Sequence, residues 1–170
     1  MPDKTRSEPW LRGTLAEVPS VHRAVLHALE LADEDLQRWC GQLSDEQLNQ
    51  RPAQIAPVAF HLRHISRSLD RLLTYAEGGS LKEGQLTALK SELSPGATRS
   101  ELFAELSSAL ASSATRVLSF SESDLEIART VGRNSLPTTL GGLLVHIAEH
   151  TQRHVGQAIT TAKIVLAQSG

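Results

Sequence analysis

Thiol chemistry is nearly absent from this chain of 170 residues, which carries one cysteine, Cys40. A lone cysteine excludes an internal disulfide framework and a cysteine-based zinc site. Aromatic residues are scarce as well, at 4%, which argues against β-rich architecture. No apolar run approaches the ~20 residues needed to cross a bilayer, and the opening Met1–Trp10 stretch is too polar for a secretory signal. Nor is there an excess of positive charge: the formal net charge is −2, so the electrostatic footprint of a nucleic-acid binder is missing. These absences lead to the expectation of a cytoplasmic, soluble protein with neither a membrane nor a nucleic acid as partner.

Leucine and alanine supply most of the 40% apolar content, a mix that favours helices. Residues 1–18 lack periodicity and are read as a tail crossing the surface, with Trp10 as its anchor. Apolar residues then recur at threes and fours over four segments, near 19–40, 57–77, 98–118 and 138–166. Val25, Leu26, Leu29, Leu36 and Cys40 mark the first stripe, which also holds His22 and Asp33; His27 projects from the opposite side and is expected in solvent. Cys40, on an apolar stripe, reads as inert packing. Ser44 and Gln47 fit a capping box, and Pro57 opens the second long segment. There Val58, Leu62, Ile65, Leu69 and Leu72 form the stripe, while Arg63, Arg67 and Arg71 read as a solvated face. Residues 80–97 read as a polar connection with a helical turn near 85–89. Residues 119–137 read as a loop, with Ser135 or Thr138 capping the last helix. The expectation is an all-α, antiparallel-type four-helix bundle, with 1–170 forming one domain.

Three of the seven histidines, His146, His150 and His154, fall four residues apart on the last helix. Side chains at i and i+4 stack on one face, with Cβ atoms ~5–6 Å apart, close enough for two imidazoles to share one ion. With Ile147 at the centre of the apolar stripe and ~100° per residue, His154 lies about 20° from the centre, His150 about 60° and His146 about 100°. Two imidazoles therefore point inward one turn apart. The second long helix offers His61, about 60° from its stripe centre, or His64, about 120° from it; the helical wheel favours His61. Three neutral imidazoles suit a transition metal and leave coordination positions open. A metalloprotease reading fails, because Glu149 directly precedes His150 and no His-Glu-x-x-His is present. The inward glutamates of di-iron bundles are missing too.

The helix order and the run His150-Thr151-Gln152-Arg153-His154-Val155-Gly156-Gln157 resemble the DinB-like superfamily of metal-binding four-helix bundles. That family's signature is a His-x-x-x-His pair followed by Arg-Gly-Gln or a variant; here Val155 replaces the arginine. The resemblance spans roughly residues 15–167. It implies a third ligand on the second helix at His64-Ile65, so the metal set it implies is His64, His150 and His154, holding a divalent Zn, Ni or Fe ion. Some relatives are transferases that use low-molecular-weight thiols such as bacillithiol or mycothiol, and one is a thiol-dependent maleylpyruvate isomerase. The resemblance thus implies a metal-dependent thiol S-transferase acting on a small-molecule substrate. Relatives are commonly homodimers, and the apolar residues Phe60, Leu73, Tyr75, Leu144 and Ile164, off the stripe centres, point the same way.

Two other readings stand beside it. A metal-dependent hydrolase would need a general base near the ion, for which inward Asp33 is the candidate; Asp33 is alternatively expected to support the histidines as an outer hydrogen-bond partner. A non-catalytic, stress-linked dimer with a structural metal would need a closed site, with His61 or His22 as fourth ligand.

Overall fold

A computed structural model describes residues 7–168; the first six residues of the expected 1–18 tail lie outside it. Six α-helices and one β-hairpin follow in order. Helix α1, Ser20–Cys40, buries Val25, Leu26, Leu29, Ala32, Leu36 and Cys40 and stops at Gly41. The short α2, Asp45–Asn49, starts with the expected capping box between Ser44 and Gln47. Helix α3 spans Val58–Ala76 and runs into Gly78, whose φ of +81° lies in the left-handed region that glycine enters without steric cost. Helix α4, Glu83–Lys90, lies in the polar connection. Helix α5, Arg99–Leu118, opens with a second capping box between Thr98 and Glu101. Strands β1, Ala128–Val131, and β2, Leu136–Thr139, pair antiparallel before α6, Leu140–Gln168.

The long helices α1, α3, α5 and α6 form the bundle, with one contiguous leucine-rich core. Their directions follow from side-chain contacts. Gln152 bonds the carbonyl of Ala28 and Lys163 lies over Trp39, so α1 and α6 run the same way. His64 meets His150 and His61 meets His154, so α3 opposes α6. Arg67 meets Glu105 and Arg116 meets Glu77, so α3 and α5 run parallel. The course is up-down-down-up rather than simple alternation, and the long connection through α4 makes the return possible. The α3/α6 seam, where the histidines meet, lies opposite the α1/α5 seam. There a cleft of about 440 Å³ remains between Leu26, Leu29, Leu110 and Leu118.

Several expectations need correcting. Residues 119–137 are not all loop, because β1 and β2 occupy part of that stretch. Strands of four residues, none of them buried and one including Pro137, carry no alternating core pattern for the sequence to show. The last helix is capped one residue later than expected: Thr139 Oγ1 accepts from the Gly142 amide at 3.0 Å. Trp10 is no anchor, being 62% exposed. The N-terminal segment is instead held by Arg12, which pairs with Glu30 and Glu34. Thr14 joins it, 3.1 Å from His27 Nε2. That contact explains why His27 is buried rather than solvated: the segment crosses its face of α1.

Candidate metal centre

The central feature of the α3/α6 seam is imidazole. His64, His150 and His154, all half-buried, each offer one ring nitrogen, and these atoms lie within 4.8 Å of one another. His64 Nε2 and His150 Nε2 are 3.3 Å apart. Two nitrogens bound tetrahedrally at ~2.0–2.1 Å would be separated by about 3.3–3.4 Å, so that pair already has the spacing an ion needs. The i, i+4 spacing on α6 sets the His150–His154 ring separation of 4.6 Å, and the antiparallel crossing of α3 puts His64 4.3 Å from His154 by ring centroid.

The opposite ring nitrogens are taken by outer partners. His64 Nδ1 lies 2.7 Å from Glu92 Oε2. His150 Nδ1 faces Ser68 Oγ at 3.5 Å, and Ser68 itself donates to the Ile65 carbonyl. His154 Nδ1 lies 3.2 Å from His61 Nδ1. With Nδ1 of all three rings so engaged, Nε2 is left as the converging atom. Metal-binding histidines ordinarily have this arrangement, in which the second nitrogen is hydrogen-bonded and the ring orientation thereby fixed. The residues present therefore fit a transition metal held by three nitrogens.

Electrostatics agree with the geometry. Burial, reinforced by the neighbouring histidines, holds His61, His150 and His154 down to about 4. At neutral pH these rings are uncharged, the form in which imidazole binds metals. Burial pushes the Glu92 carboxyl up, but hydrogen bonds from His64 and Arg71 outweigh it and hold the group below the usual carboxylate range. Phe60 stacks on His64 and meets the rings of His61 and His154 edge-on, forming an apolar wall on the α3 side.

The structure separates the sequence candidates. His64, favoured by the resemblance, is in the cluster; His61, favoured by the wheel, is buried but turns its Nδ1 to the outer nitrogen of His154. His146 sits on the margin, 43% exposed and 3.6 Å from Glu149. His22 is buried on α1, and among the described residues neither of its ring nitrogens has a partner. Asp33 is not an outer partner: it lines the α1/α5 cleft and bonds to none of the histidines. The carboxylate that takes the place expected for Asp33 is Glu92, from the connection after α4, which periodicity could not single out. The arginine face is also not simply solvated: Arg71 is buried against Glu92 at 2.7 Å. A cavity of about 560 Å³ opens beside the cluster, walled by His61, Ile55, Arg153, Gln157, Thr160 and Thr161.

Comparison with known proteins agrees with this architecture. No curated protein matches the chain. A crystal structure of a conserved protein from Enterococcus faecalis shares the fold at a TM-score of 0.73, with 18% identity, covering 88% of this chain and 99% of the other. The DinB superfamily profile matches residues 28–158. Fold, helix order and sequence profile thus agree, and the chain belongs to the DinB superfamily.

Proposed function

We propose that this protein binds one divalent transition metal, Zn, Ni or Fe, through Nε2 of His64, His150 and His154. On this reading it is a cytoplasmic, homodimeric S-transferase that joins a low-molecular-weight thiol to a small electrophilic substrate. One observation carries the reading: three imidazoles converge, each backed on its other nitrogen, with no fourth His, Cys, Asp or Glu among the described residues in the group. A three-ligand protein site leaves positions open for exogenous ligands, as catalytic sites do and structural sites do not. When bound, the ion supplies a Lewis acid that favours the thiolate form of a thiol, the nucleophilic form.

The chain's own residues supply the rest. His150 and His154, both held down by burial, contribute to the site without adding charge, and Phe60 walls it on one side. The cavity beside His61 provides room for a second substrate, with Arg153, Gln157 and Thr160 as polar groups on its wall. A hydrolase is less well supported. Asp33 is remote from the cluster, and Glu92 is occupied on both oxygens, so neither is free to act as general base. A closed structural site is disfavoured by the orientation of His61 and the isolation of His22.

Metal analysis of the purified protein, followed by a turnover screen with several thiols and a chloronitrobenzene electrophile, tests the reading. Stoichiometric metal and metal-dependent thioether formation are expected. In the variant carrying both His150→Ala and His154→Ala, metal uptake should vanish while helix content persists. Full metal occupancy in that variant overturns the site. Metal binding without turnover of any thiol overturns the transferase assignment.

A further inference from the structure

Arg63, Arg67 and Arg71 recur at four-residue intervals on α3, and all three turn onto the end of α4 and the connection that follows it. Arg63 donates to the carbonyl of Ser94. Arg67 donates to the Ala88 carbonyl at 2.8 Å and to Ser91 Oγ at 2.9 Å, and pairs with Glu105 at 2.7 Å. Arg71 Nη1 donates to Glu92 Oε1 at 2.7 Å. The ladder straps residues 88–94 along α3 and delivers Glu92, 4% exposed, to the back of His64. A buried carboxylate without partners would be costly; here Arg71 balances its charge and occupies one oxygen, leaving the other, at 2.7 Å, for His64 Nδ1.

An ionised carboxylate only accepts hydrogen bonds. Set against Nδ1, it places a proton on that nitrogen, so that in the neutral ring the lone pair is on Nε2, which faces His150. We propose that Glu92, held by Arg71, is a positioning residue for His64: it fixes the tautomer and ring plane in which Nε2 is presented unprotonated to the cluster. The consequence for metal affinity rests on the metal-binding reading above, whereas the tautomer is a property of the metal-free chain.

The substitution Glu92→Gln discriminates this role from a merely structural ion pair. Arg71 can only donate, so it takes the amide oxygen, and the amide NH2 then faces His64 Nδ1. That reverses the preferred tautomer, moving the proton to Nε2, where it competes with a metal. Two measurements test the proposal: nitrogen-15 NMR of the histidine rings in the metal-free protein, and titration with Co²⁺. Wild type should show His64 protonated on Nδ1. Glu92→Gln should shift it toward Nε2 and weaken Co²⁺ binding about ten- to a hundredfold. If the variant does not fold, the wild-type spectrum still decides: His64 protonated on Nε2 in the metal-free chain overturns the proposal. Unchanged Co²⁺ affinity in a folded Glu92→Gln variant overturns the link to metal binding. Wild type that shows the Nδ1 proton yet binds no Co²⁺ supports the positioning role and overturns the metal reading instead.

Discussion

Four of the chain's histidines gather at one seam, and three of them, His61, His150 and His154, are held by burial at about 4, far below the ordinary value of about 6.5. A group whose native pKa is depressed leaves the unfolded chain binding more protons between the two values, so stability rises with pH across that window. For the metal-free protein this means full stability above about pH 6.5 and progressive loss as pH falls toward 4. The melting temperature should drop by roughly 10 °C or more between pH 7 and pH 5, allowing ~2–4 °C per kcal/mol for a chain of this size. Replacing His61 and His150 by Asn should flatten the slope in a thermal melt. A wild-type melting temperature that stays level over that range would show that these rings titrate normally. Metal should restore stability near pH 6, because an ion bound only by the native state shifts folding by mass action.

At the scale of elements, the strap along α3 is the part most exposed to experiment. Arg67 joins α3 to α5 through Glu105 and to the strap through Ala88 and Ser91. Arg67→Ala should cost about 2 kcal/mol, since hydrogen bonds to charged groups contribute roughly 1.5–3 each. Amide exchange should accelerate in residues 88–94 more than in the helices, and exchange unchanged there would show that the strap is held without the ladder. Helix α5 offers a simpler check: Thr98→Ala removes the hydroxyl that accepts from the Glu101 amide at 3.2 Å. Loss of such a cap typically costs ~1 kcal/mol, readable in a denaturant melt. The arginines also show where sequence reading stopped. The long helices were legible because their apolar residues repeat with the helical period. Periodicity also assigned Arg63, Arg67 and Arg71 to a face away from the core, but it cannot say whether water or another part of the chain covers that face. Glu92 had no signal at all: it lies in a non-periodic connection, 28 residues from the histidine it contacts.

At the scale of the whole molecule, the bundle covers most of its own apolar surface. The apolar residues that suggested a partner surface are mostly accounted for within the chain. Leu73 and Leu144 are fully buried, and Phe60 lies against the histidines. The expectation of a dimer therefore rests on resemblance to relatives, together with exposed Leu93, Leu118, Leu136 and Val145. Light scattering at micromolar concentration should give twice the chain mass of 18.4 kDa. A mass of 18.4 kDa that stays unchanged on adding metal would make the protein a monomer. The histidine cluster is complete within one chain, so a monomer would still bind metal.

Cys40 lies at the C-terminal end of α1, fully enclosed, its thiol pushed up to about 12 by burial. A protein proposed to handle reactive sulfur thus keeps its own sulfur out of circulation. While folded, it neither forms mixed disulfides with the thiol pool nor is consumed by the electrophiles it would process. The same seclusion makes Cys40 a built-in reporter. Each alkylation event counts an opening of the bundle, so the labelling rate in the presence and absence of metal would measure how far the ion holds the fold shut, with no probe added to the chain.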